Sequence, residues 1–261
     1  MPSTAYPELD ELLEEFTASM RAILGENFVA LYVQGSFALG DADEDSDVDW
    51  IAVVEDDLTD DQVADLQAMH RRLFGLDTSW AQHLEGSYIP RALMRGLDPE
   101  RTELWFLDNG ASELVRDNHC NTAVVRWVVR ERGVALAGPD PKELVDPVSR
   151  EALRDEMPIA MREWAEWART IPMSRRAVTL LVVSFCRILH TVETGAVTSK
   201  KEAGEWALRA LDPKWADLIQ AAMNDRPDAW RKVREPAPPD TAERTVAFMD
   251  YALSRLPPSR P

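Results

Sequence analysis

Residues 34–49 read QGSFALGDADEDSDVD, and this stretch decides the fold. It starts where one short apolar run, Phe28 to Val33, stops, and it ends inside a second, Val48 to Val54 (VDWIAVV). Short apolar runs bounded by Gly and an acidic turn read as buried strands, and these two are expected to pair in one sheet. Asp47 and Asp49 stand two apart on the second strand, so their carboxylates share a face. Carboxylates so placed suit Mg2+, a hard cation that takes oxygen ligands and keeps water and substrate phosphates in its shell. Gly35-Ser36, at the end of the first strand and leading into a helix start, lets backbone N–H groups and a hydroxyl come close to a phosphate. A solvated acidic loop would account for the Asp/Glu run alone. It does not account for strand, Gly-Ser, ten intervening residues, Asp-x-Asp and then a further carboxylate, Glu85, on the next apolar segment.

Working outward, Leu9, Leu12, Leu13, Phe16, Met20 and Ile23 fall at helical spacing and predict an amphipathic helix over 6–24. Thr59 is the expected N-cap of a helix reaching about Leu73, with Asp60 and Asp61 at its positive end. A third strand is expected from Trp80 to Ile89, and a hairpin from Leu104–Leu107 and Glu113–Val115 around Asn109-Gly110. Residues 121–132 read as a helix and 134–137 as a short extended piece. Beyond Ser149 only helical patterns remain, over 149–170, 174–194, 199–211, 214–224 and 240–256. The expectation is therefore an α+β protein: an N-terminal mixed sheet with helices over 1–148, then an all-α bundle over 149–261.

Charge is divided just as unevenly. Residues 1–100 hold 22 Asp/Glu against five Arg and no Lys, so the whole net charge of −17 lies there. Such a field repels a nucleic-acid backbone, which is bound through Lys and Arg, and it attracts cationic small molecules. The N-terminus is acidic where a secretory signal is basic and then apolar, and no apolar run looks long enough for the roughly 18 residues of a membrane span. A cytoplasmic protein, monomeric and without nucleic-acid or membrane partners, is expected. Cys120 and Cys186 are too few for a disulfide framework and read as core thiols. The four histidines, His70, His83, His119 and His190, show no ligand spacing and read as non-catalytic. His83, two residues before Glu85, is expected on the same side of that strand.

The stretch GSFALGDADEDSDVDW resembles the Gly-Ser and Asp-x-Asp motif of the polymerase-beta-like nucleotidyltransferases. Two further segments, VALAGPDPKELVDPV at 134–148 and TGAVTSKKEAGEWAL at 194–208, are similar to the streptomycin/spectinomycin 3″(9) adenylyltransferases, whose C-terminal domain is a helical bundle. The resemblance spans nearly the whole chain. It implies transfer of AMP from ATP to a hydroxyl of a small cationic sugar-like acceptor, an aminoglycoside, with release of pyrophosphate. It also implies site roles. Gly35, Ser36 and Ser46 would contact the triphosphate; Asp47 and Asp49 would hold Mg2+, with Glu85 as third acidic residue and general base; Lys200, or its neighbour Lys201, would reach the phosphates. Charge supports the last role, because residues 1–100 offer few cations to ATP and the second half must supply them. An active site shared between the two halves is thus predicted.

The acceptor side matches the family less closely. Where the family carries acidic residues between the first two C-terminal helices, this chain reads ARTIPMSRRAV, and Arg175 and Arg176 are expected to repel a polycation. Trp164 and Trp167, flanked by Glu163 and Glu166, would offer an aromatic and acidic wall or simply pack the helix. Trp105 and Asn109 fall where the family places a drug-contacting Trp, and no tyrosine stands near Ala222-Met223-Asn224 to stack on the nucleotide. Transfer to another acceptor, or a catalytically silent binding module, are the alternatives; the joint presence of Asp47, Asp49 and Glu85 opposes the second.

Overall fold

The protein is described by a computed structural model over residues 4–225 and 231–257. The chain divides into two compact units, one running to Val148 without Asp43–Asp45, the other made of Asp43–Asp45 and the residues from Ser149 on. In the first, six strands form one mixed sheet: β1 (Phe28–Val33), β2 (Val48–Val54), β3 (Leu84–Pro90), β4 (Leu104–Leu107), β5 (Leu114–Asp117) and β6 (Val134–Ala137). Their order is β5-β4-β3-β2-β1-β6. Only β2 and β3 run parallel, joined by the crossover helix α3 (Asp60–Phe74); the other neighbours are antiparallel. The extended piece at 134–137 is the edge strand that pairs with β1, and two short helices, α4 (Arg91–Arg95) and α6 (Pro141–Leu144), follow β3 and β6.

Alternation along the central strands builds a core on each face of the sheet. Val48, Trp50, Ala52 and Val54 of β2 pack beneath α1 (Pro7–Leu24) and α3 with Leu9, Phe16, Met20 and Leu66. Ile51 and Val53 point the other way, to Ile89, Phe106, Cys120 and Val129 of α5 (Ala123–Arg132). Thr59 closes a full capping box with Gln62 at the start of α3. The third strand is shorter than its apolar pattern suggests. Ser79–Gln82 is a 3-10 turn that buries Trp80 and Ala81, so β3 begins only at Leu84.

A histidine is buried in the α1/α3 core. His70 is 2% exposed, stacks on Trp50 at 5.8 Å and bonds through Nε2 to the Tyr88 hydroxyl at 2.8 Å. Burial lowers its pKa to about 3, whereas an unfolded histidine titrates near 6.5. The folded state keeps the ring neutral while the unfolded chain takes up a proton. Stability from this group is therefore complete above about pH 6.5 and lost as pH falls toward about 3, by at most about 1.4 kcal/mol per pH unit. Urea unfolding followed from neutral to mildly acidic pH should show a steeper loss in the wild type than in His70→Phe. Parallel losses would refute this assignment.

The second unit comprises α7 (Arg150–Ala168), α8 (Arg175–Thr194), α9 (Lys200–Ala210), α10 (Ala216–Asn224) and α11 (Pro239–Ser254). Ser149, Ser174 and Ser199 cap α7, α8 and α9 with their hydroxyls. α8 corrects the expectation that no segment is apolar and long enough to span a membrane. By length and composition its 20 residues pass that test, but 67% of the apolar window is buried inside the protein, where Leu181, Val182, Phe185 and Cys186 form the axis of the bundle.

Candidate active site

Parallel pairing of β2 with β3 puts Asp49 directly opposite Glu85. Both belong to the odd-numbered set that faces away from α1 and α3. Asp47 comes just before β2 begins at Val48, so the three predicted carboxylates lie near one end of the β2–β3 pair. They do not form a ready-made cage: among the described residues no three His, Cys, Asp or Glu side chains are placed to hold a metal ion. Glu85, whose side chain is 17% exposed, is paired with His119.

The turn after β1 closes tightly over this face. The Gln34 N–H donates to the Asp49 carbonyl at 2.8 Å, the Gln34 side chain accepts from the Gly35 N–H, and Gly35 takes φ +59° before the short α2 (Gly35–Leu39). A Cβ at Gly35 would fall on the Asp49 carboxylate itself. Next to it, the Ser36 hydroxyl is buried without a hydrogen-bond partner. An orphaned hydroxyl beside a carboxylate, under a turn that admits only glycine, fits a phosphate oxygen carrying a divalent cation. Ser46 is buried where the acidic loop joins β2.

Asn109, in the β4–β5 loop, donates from Nδ2 to Asp47 Oδ2 at 3.2 Å and bonds through Oδ1 to His83 Nδ1 at 2.9 Å. With the amide oxygen facing it, His83 Nδ1 must carry the proton. His83 therefore supports Asp47 through Asn109. It caps the 3-10 turn with ψ 24° and is not extended, so the strand alternation that would have aligned it with Glu85 does not reach it. Trp105 is also displaced from its expected role. It pairs with Tyr88 across the β3–β4 ladder, which turns its ring to the α1/α3 face, opposite Glu85, where Arg116 lies 4.5 Å from the ring centre.

The histidine beside Glu85 is His119, although its spacing in the sequence predicts no role in the site. Its Nε2 is 3.3 Å from Glu85 Oε1, and its ring leans on Phe106 at 5.3 Å. The bond to Glu85 raises the His119 pKa against the opposing effect of desolvation.

In the helical unit, a cavity of about 270 Å³ is lined by Arg176, Thr179, Leu180, Val183, Lys200, Lys201, Ala222, Met223 and Asn224. Lys200 opens α9, and both lysines border this space. Its lining carries three cations and no carboxylate, and the Thr179 hydroxyl is buried there without a partner. Arg175 does not carry free charge. It binds Asp225 and Glu235, the latter at 2.8 Å, which removes it from the expected repulsion of a polycation. Trp164 and Trp167 form an edge-to-face pair at 5.7 Å near the end of α7, and Trp167 is 44% exposed.

Comparison with known proteins bears on the two units separately. Residues 17–88 match the family described as a nucleotidyltransferase domain, and residues 143–255 match the aminoglycoside adenylyltransferase C-terminal domain. The chain is thus similar to the aminoglycoside adenylyltransferases in its C-terminal residues and to nucleotidyltransferases in its N-terminal ones. It is 21% identical to a spectinomycin 9-adenylyltransferase of Campylobacter jejuni over 95% of this chain and 96% of that one. It is 30% identical to an aminoglycoside (3'') (9) adenylyltransferase of Escherichia coli over 51% of this chain and 48% of the relative. A solved spectinomycin adenyltransferase from Enterococcus faecialis, crystallised with ATP and spectinomycin, shares the fold with a TM-score of 0.73 at 16% identity, over 94% of this chain and 99% of that one. The expected α+β class, a nucleotidyltransferase sheet domain and a helical C-terminal region, is borne out.

Proposed function

We propose that this protein transfers AMP from ATP to a hydroxyl of an aminoglycoside of the streptomycin or spectinomycin type, releasing pyrophosphate. The single observation carrying this reading is the juxtaposition of Asp49 with Glu85 under the Gly35 turn, beside the unpartnered Ser36 hydroxyl. Asp47 and Asp49 would hold Mg2+, which when bound neutralises phosphate charge and polarises the phosphoryl group. Asn109 fixes the Asp47 carboxylate for that task. Ser36 binds a phosphate oxygen. Lys200 and Lys201, which border the cationic cavity, supply positive charge to the phosphate tail. Glu85 takes the proton of the attacking hydroxyl, whose oxygen bonds to the α-phosphorus as pyrophosphate leaves. The acidic N-terminal half draws in the cationic acceptor.

Pyrophosphate release, measured with ATP and Mg2+ across a panel of aminoglycosides and neutral sugars, tests this directly. Release dependent on streptomycin or spectinomycin is expected; release only with other acceptors, or none with any, overturns the assigned acceptor or the activity. In the same assay Lys200→Ala combined with Lys201→Ala should raise KM for ATP by about tenfold or more, the loss expected on removing charge-assisted contacts to phosphate. An unchanged KM would remove the lysines from the nucleotide site.

A further inference from the structure

We propose that His119 is a positioning residue for the transfer reaction: its Nε2–H holds one oxygen of the Glu85 carboxylate so that the other is presented to the acceptor hydroxyl. The inference rests on the reading of Glu85 as general base. Geometry carries it. Glu85 stands opposite Asp49 in the ladder, and His119 Nε2 lies 3.3 Å from its Oε1. The histidine side chain is 49% exposed, yet the loop between β5 and α5 that bears it is fastened on every side. Its backbone N–H donates to Asp117 Oδ1 at 2.7 Å. The next residue, Cys120, is buried in the α5 core. The one after, Asn121, is 2% exposed and bonds to Asp98, to the Thr102 carbonyl and to Arg126. Arg126 is itself 1% exposed and bonds to the carbonyls of Thr122 and Leu93.

Burying an arginine and an asparagine to brace a short loop is costly, and what this brace presents is one imidazole against one carboxylate. A carboxylate on a free side chain samples rotations that aim its lone pairs away from the acceptor; a fixed donor on one oxygen removes most of them. In the transfer step the acceptor O–H bond breaks, its proton passes to the free oxygen of Glu85, the hydroxyl oxygen bonds to the α-phosphorus and the bond to pyrophosphate breaks. His119 loses and gains nothing. It only orients.

Two substitutions in the full chain separate orientation from packing. His119→Phe keeps a ring against Phe106 but has no donor; His119→Gln loses the ring but keeps an N–H near the Nε2 position. With ATP, Mg2+ and streptomycin or spectinomycin, H119F should lower kcat by about tenfold or more with KM for ATP and the thermal midpoint nearly unchanged, while H119Q should recover most of kcat. In a Glu85→Gln background H119F should add no further loss. H119F turning over like the wild type, H119Q falling as far as H119F, or the two losses multiplying in the double variant would each overturn the inference. If E85Q itself retains full turnover, it is the assignment of Glu85 as base that fails, and the two failures are thereby distinguished.

Discussion

A Gly35→Ala protein is expected to lose adenylyl transfer by about a hundredfold or more while remaining folded. Gly35 adopts φ +59°, in the left-handed region, where a Cβ costs about 1–2 kcal/mol. That penalty is small against the roughly 5–15 kcal/mol of a typical domain, so the fold should persist with a lowered thermal midpoint. The larger effect is local. The added methyl would occupy the space of the Asp49 carboxylate, and that side chain cannot simply retreat with its backbone, because the Asp49 carbonyl is tied to the Gln34 N–H and its strand is paired on both edges. Either Asp49 rotates out of the site or the turn opens and carries Ser36 away. Displacing a positioned group by about 1 Å is enough for the hundredfold loss. Pyrophosphate release and thermal unfolding, measured side by side, check the prediction. Near-normal turnover with a normal midpoint would show that the turn does not shape the site.

The parts of this protein that were legible in its sequence are those where a local pattern has one structural solution. Thr59, followed by Asp60 and Asp61, announces the start of its helix, and the structure closes a capping box there with Gln62. What escaped were relations between segments distant in the chain. The partnership of His119 with Glu85 depends on which strand neighbours which, since β4 and β5 must fold back beside β3 before the loop after β5 can reach it. The facing of Trp105 depends on ladder register, which no periodicity within four residues can fix. His83 misled because the apolar run appeared continuous from Trp80, whereas the chain turns through a 3-10 segment before the strand starts. Arg175 misled through charge counting, as its neutralising partners Asp225 and Glu235 lie 50 and 60 residues away.

Glu85→Gln carries the other large expected effect, and it falls on kcat. The amide has the shape of the carboxylate, keeps an oxygen for the His119 N–H and leaves the Asp49 ladder contact untouched, so ATP should bind with KM changed by no more than about twofold to threefold. What the amide cannot do is accept the proton of the acceptor hydroxyl. Loss of a positioned general base removes about 10²–10⁴ in rate, or about 3–5 kcal/mol of transition-state stabilisation. Asp49→Asn makes the useful contrast. It weakens the proposed hold on the cation and should therefore depress the apparent affinity for Mg2+ together with turnover, and raising Mg2+ should restore part of its rate. No concentration of Mg2+ should restore E85Q. Two carboxylates that face each other across one rung of a parallel ladder would then differ in kind, one serving the phosphate charge and the other the acceptor proton. Titrating Mg2+ against both variants decides it: rescue of E85Q by the metal would place Glu85 with the cation, and full turnover by E85Q would require a different base.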